Sequence, residues 1–84
     1  MYVEIYTKDD CQYCHLAMRE LTIKAIPFSE QRLNRDFSRE QIMEKFPQAK
    51  AFPVIVVDGF YIGGYSNLKE HLVSANEPRT LLNE

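Results

Sequence analysis

Eighty-four residues with 45% hydrophobic and 12% aromatic content describe one compact domain, able to bury about two-thirds of its unfolded surface. A net charge of −2 without a basic cluster gives no electrostatic case for nucleic acid. The longest apolar run, Phe52 to Val57, is far shorter than the ~20 residues that span a bilayer.

Tyr2 to Tyr6 alternates with period two in β-forming residues and predicts a first strand. Met1 runs straight into it, so no export signal is read and a cytoplasmic location is expected. From Cys11 the period becomes helical, with Cys14, Ala17, Met18, Leu21 and Ala25 on one stripe until Pro27 forbids continuation. Phe28 to Leu33 is extended but polar, which suits an edge strand. Ser38 and Gln41 form a capping box, Phe37 can staple onto Ile42, and Ile42, Met43 and Phe46 supply the apolar face of a second helix that Pro47 stops. Val54 to Val57 is a strand apolar on both faces, and the turn Asp58-Gly59 returns the chain as Phe60-Tyr61-Ile62. After Gly63-Gly64 a third helix opens near Ser66 or Asn67 with Leu68, Leu72 and Val73 on its apolar side, and residues 76–84 form a short polar tail. Met18, Met43 and the phenylalanines are expected in the core, and Tyr2 and Tyr6 on a sheet face. The order β-α-β-α-β-β-α over residues 1–84 implies an α/β domain with a four-stranded mixed sheet and three helices on both faces.

The two cysteines, Cys11 and Cys14, stand two residues apart where the first strand hands over to the first helix. Helix N-termini carry unpaired N–H groups and a positive dipole end, which favour a thiolate, the reactive form of a thiol. Lowering a thiol pKa from about 8.5 to ~6 takes ~3.4 kcal/mol, and the dipole supplies at most ~2 kcal/mol. Direct N–H···S bonds and a cation must therefore add to it. Lys8 is the nearby cation, while Asp9 and Asp10 oppose it. Cys11 is expected at the exposed helix start, with Cys14 one turn deeper on the buried stripe. Two closely spaced thiols read as redox, metal or cofactor chemistry rather than as a structural staple. Cys11 to His15 also spells C-x-x-C-H, the haem attachment pattern, but nothing else supports it and His15 is expected to be a solvated helix residue. Zinc at Cys11, Cys14, His15 or His71 lacks the second CxxC that would complete a tetrahedron, so no metal site is expected.

Three separated elements together resemble the glutaredoxin family: Lys8 through Cys14, then Ala51-Phe52-Pro53 before the apolar strand, then Ile62-Gly63-Gly64-Tyr65 before the last helix. The resemblance covers nearly the whole chain and implies a thioredoxin fold with a cis Phe52–Pro53 bond. It implies catalytic Cys11 and Cys14, and glutathione binding by Lys8, Tyr13, Phe52, Pro53, Gly64, Ser66 and Asn67. The Phe52 backbone would pair with a peptide, and the last helix's N-terminus would take a carboxylate. Gln48 and Lys50, just upstream, are weaker candidates. Glutathione is then a co-substrate, no tightly bound cofactor is expected, and the partners are disulfide-bonded or glutathionylated proteins, ribonucleotide reductase among them, with the chain a monomer. Re-reduction by thioredoxin reductase, and an iron–sulfur cluster bridged between two chains through Cys11, are the family's alternatives. Gln12, Ala51 and Ser66-Asn67 stand where the family pattern has proline, threonine and threonine-aspartate.

Overall fold

The computed structural model describes residues 1–76; from residue 77 on, the expected tail lies outside the described residues. The elements follow the expected order: β1 (Val3–Thr7), α1 (Gln12–Ile23), β2 (Phe28–Arg32), α2 (Arg39–Lys45), β3 (Val54–Val57), β4 (Phe60–Gly63) and α3 (Tyr65–Asn76). The sheet order is β2-β1-β3-β4. β1 and β2 are parallel, whereas β1–β3 and β3–β4 are antiparallel.

Strand alternation divides the interior into two layers. On one face Val3, Ile5, Ile55 and Val57 meet Ala17 and Leu21 of α1 and Leu68 and Leu72 of α3. On the other, Tyr6, Val54 and Val56 meet Ile42 of α2 and Phe46. β3 is buried along its whole length because it contributes to both layers. The polar strand β2 takes the edge, as its composition requires.

Local chemistry sets the helix ends. In the α2 capping box, Ser38 Oγ accepts the Gln41 N–H and Gln41 Oε1 accepts the Ser38 N–H, at 3.2 and 2.8 Å. α1 ends earlier than its stripe suggests. The Ala25 N–H donates to the Thr22 carbonyl and the Ile26 N–H to the Leu21 carbonyl, a Schellman ending with Ala25 at φ 58°. Ala25 is therefore exposed rather than part of the buried stripe, because the chain must reverse before Pro27.

Five further expectations are corrected. Met43 is 60% exposed: Ile42 and Phe46, four residues apart, take the sheet-facing side of α2, and Met43 lies about 100° round from Ile42. Phe60, at 76% exposure, opens the edge strand beside the hairpin turn, where neither helical layer covers it. Tyr2 precedes β1 and is exposed, whereas Tyr6 is buried. Val73 is exposed although Leu72 beside it is buried, and α3 starts at Tyr65, one residue earlier than expected.

Candidate active site

The cysteines sit where β1 delivers the chain into α1. Asp10 adopts a left-handed φ of 56° and turns the backbone, so that Cys11 becomes the extended N-cap of α1. The Cys14 N–H donates to Cys11 Sγ at 3.1 Å, so the sulfur occupies the place of a capping oxygen. Cys11 and Cys14 are joined as a disulfide, with Cα atoms 5.2 Å apart. Cys14 is buried at 1% exposure, as its stripe position requires. Cys11 is not the exposed residue expected at a helix start: it is 6% exposed, because the loop before it and the Phe52 segment wall it in.

The Phe52–Pro53 bond is cis, and Pro53 is fully buried. A Cβ on Gly64 would stand 3.5 Å from the Pro53 carbonyl oxygen, so the glycine segment and the proline loop are close neighbours. Gly63 has φ +126°, and a side chain there would overlap that of Asn67. Gly64 precedes α3, and its N–H donates to Asn67 Oδ1 at 3.1 Å. The amide carbonyl of Asn67 is thus engaged in capping, while the N–H groups of Tyr65, Ser66 and Asn67 begin the helix without intrahelical partners.

Two cavities share a border beside Cys11, formed by Tyr13, Lys50, Ala51 and Phe52. One of about 570 Å³ lies toward α2 and contains Cys11; Lys8, Arg39 and Lys50 place three cations on its walls against the carboxylate of Asp10. The Lys8 ammonium stands 6.0 Å from the centre of the Phe52 ring. The second, of about 470 Å³, lies toward α3 and is walled by Tyr13, Phe52, Pro53, Tyr61 and Tyr65, with Ser66 at its end. Of the residues expected in the site, Cys14 and Asn67 border neither cavity: Cys14 is buried, and Asn67 instead lines a shallow depression with Glu70 and His71.

Asp9 is drawn away from the sulfur toward Arg32, 3.7 Å off. Behind the loop, Thr7 Oγ1 donates to Glu30 Oε2 at 2.7 Å, and Arg32 reaches the same oxygen at 3.3 Å. The Thr7 hydroxyl, ahead of Arg32, holds the Glu30 carboxyl below the usual carboxylate range. Arg39, Tyr61 and Tyr65 are cavity residues that sequence reading did not single out. The capping box does locate Arg39 at the start of α2, but nothing local ties that helix end to the cysteines. His15 is exposed on α1. Among the described residues, no group of three or more His, Cys, Asp or Glu side chains is arranged to hold a metal ion, and no helix is long and apolar enough to cross a membrane.

The glutaredoxin family model matches residues 3–62, which include the cysteine pair, the cis-proline and the strands that position them. The chain belongs to the glutaredoxin family. Glutaredoxin 3 of Escherichia coli strain K12 is 36% identical to it over 66 residues, spanning 79% of this chain and 80% of that protein. Among solved structures, Glutaredoxin 1 from Francisella tularensis, complexed with cacodylate, superposes with a TM-score of 0.76 at 26% identity, covering 88% of this chain and 94% of its own. The glutaredoxin-like NrdH-redoxin from Escherichia coli gives a TM-score of 0.67 at 20% identity over 95% of this chain and 100% of that one, a likeness of fold alone. Membership and the Cys11–Cys14 pair together make this glutaredoxin a thiol–disulfide oxidoreductase.

Proposed function

We propose that this glutaredoxin takes its electrons from glutathione and passes them to protein disulfides and to glutathione mixed disulfides. The observation that carries the reading is the pair of anion-favouring ends on either side of Cys11. Lys8, Arg39 and Lys50 stand on the α2 side, and the free N–H groups around Ser66 stand at the start of α3. Glutathione carries one carboxylate at each end of a short chain with a cysteine in the middle. Phe52, before the cis-proline, would offer its backbone to the cysteinyl residue between those ends.

In the reduced protein, Cys11 thiolate attacks a substrate disulfide and forms a mixed disulfide, and the departing substrate sulfur leaves as thiolate. The Cys14 N–H that donates to Cys11 Sγ supports the charge on the attacking atom. Cys14 then attacks Cys11 Sγ, releases the reduced substrate and closes the disulfide seen here. Two molecules of glutathione would reopen it, leaving as glutathione disulfide. Proposed substrates are glutathionylated proteins and ribonucleotide reductase, and the proposal includes a cytoplasmic location and a monomeric state.

One observation favours a second reading. The Asn67 carbonyl, already accepting from the Gly64 N–H, has only its second lone pair left for the amino group of a γ-glutamyl residue. That would weaken glutathione binding and favour reduction by thioredoxin reductase. Two coupled assays separate the donors: NADPH with glutathione and its reductase, and NADPH with thioredoxin reductase. Turnover in the first alone supports glutathione; turnover in the second alone refutes it.

A further inference from the structure

The cavity toward α3 is walled by four aromatic residues and a proline. Tyr13, Phe52, Tyr61 and Tyr65 all face it, together with Pro53. The Tyr13 and Tyr65 rings support one another, with centroids 5.9 Å apart and planes 31° from parallel. On Tyr65 the Lys69 ammonium sits 5.4 Å from the ring centre, which holds that ring from a further side. Tyr61 packs in turn on Phe46, at 5.9 Å. The rings of Tyr13, Tyr61 and Tyr65 thus each rest on a neighbouring side chain within the wall or just behind it. Glutathione has a glycine, a cysteine and a γ-linked glutamate, and so presents no apolar side chain to such a surface.

We infer that this cleft is a specificity pocket for protein disulfides that carry a bulky apolar or aromatic residue two positions from the cysteine. Tyr65 is its specificity-determining residue. The placement follows from the border between the two cavities. A substrate sulfur reaching Cys11 must lie over Tyr13 and Phe52, which line both cavities. Ala51, with a single methyl group, leaves that border low. In an extended peptide side chains alternate between faces, so the residue two positions from the cysteine, about 6.8 Å along, shares the cysteine's face and is carried over the aromatic cleft. Burying a phenyl group there removes apolar area from water and adds ring–ring contact. The inference rests on disulfide exchange at Cys11 and is independent of the reductant that restores the dithiol.

The test uses protein reduced with dithiothreitol and desalted, so the physiological donor plays no part. Two peptides, Phe-Gly-Cys-Gly-Phe and Gly-Gly-Cys-Gly-Gly, each carry the cysteine as a mixed disulfide with 2-nitro-5-thiobenzoate. Cys11 thiolate forms a bond to the peptide sulfur as the peptide–thiobenzoate S–S bond breaks. The coloured thiobenzoate leaves with the electron pair. Cys14 then displaces the peptide thiolate, so the protein dithiol is oxidised and the mixed disulfide reduced. Rates are normalised to those of each peptide with free dithiothreitol. The expected result is a Phe-to-Gly preference of about tenfold in the native protein, worth ~1.4 kcal/mol. Tyr65→Phe should keep it, and Tyr65→Ser should bring it to within about twofold. A native preference near one, or a preference that survives intact in Tyr65→Ser, overturns the inference. Should Tyr65→Ser fail to fold, the native protein still decides the matter. Phe-Gly-Ser-Gly-Phe, which cannot react, must then slow the reaction of the all-glycine cysteine peptide competitively, and the absence of such inhibition also overturns the inference.

Discussion

A sulfur at the N-cap replaces the side-chain oxygen that usually satisfies the first free N–H of a helix, and this substitution links stability to reactivity at Cys11. The bond from the Cys14 N–H to Cys11 Sγ caps α1 and points a donor at the atom that must carry charge. Cys14 lies deeper and is positioned to attack Cys11 and not an incoming protein. Cys11→Ser should therefore abolish all reductase activity. Cys14→Ser should abolish reduction of protein disulfides while retaining release of glutathione from mixed disulfides, since that needs only one protein sulfur. Assays of a disulfide-bonded protein and a glutathionylated peptide with both variants check this; the opposite pattern would exchange the roles. The pairing of Cys11 with Cys14 and the depth of Cys14 were legible from spacing and helical period. The enclosure of Cys11 was not, because it comes from the Phe52 segment, some forty residues away in the chain.

Among the elements, α1 shows how a local signal can be overruled. Its apolar periodicity runs on to Ala25, yet the Schellman bonds end the helix first and force Ala25 into the left-handed region, where a Cβ is unfavourable. Glycine relieves that crowding but gives the unfolded chain more freedom. Ala25→Gly should accordingly stabilise the protein by about 0.5–1 kcal/mol, read from the urea midpoint at constant slope. By contrast, the Ser38–Gln41 box and the Val54–Val57 run behaved as their residues dictate. The first needs only four consecutive residues, and the second is apolar on both faces whatever packs on it. Met43 and Phe60 were misjudged for the converse reason. Hydrophobicity alone does not tell which side of a seven-residue helix, or which end of an edge strand, a neighbouring layer will cover.

For the molecule as a whole, the edge strand β2 is tied to the active-site loop by charge. Glu30 accepts from Thr7 at the end of β1 and pairs with Arg32, which reaches across to Asp9. Because its folded-state carboxyl is held below the ordinary value, its contribution to stability is present at neutral pH and is lost as the pH falls through the folded-state value. Asp36, lowered by its hydrogen bond from Arg35, acts in the same direction. The melting temperature should therefore drop as pH falls below about 4.3. In Glu30→Gln it should be lower at pH 7 and decline less steeply, the remaining slope coming from groups such as Asp36. Identical slopes in the two proteins would remove Glu30 from this role. The order of elements and the mixed sheet were determined by the sequence alone, since they rest on periodicity and capping within short stretches, and the family and its redox pair were legible from the resemblance of three separated elements. Tertiary structure alone decided that Arg39 shares a cavity with Cys11, that Asn67 turns its carbonyl to Gly64, and that four aromatic residues close around one cleft. Those arrangements join residues far apart in the chain, and only the packing of two layers on one sheet brings them together.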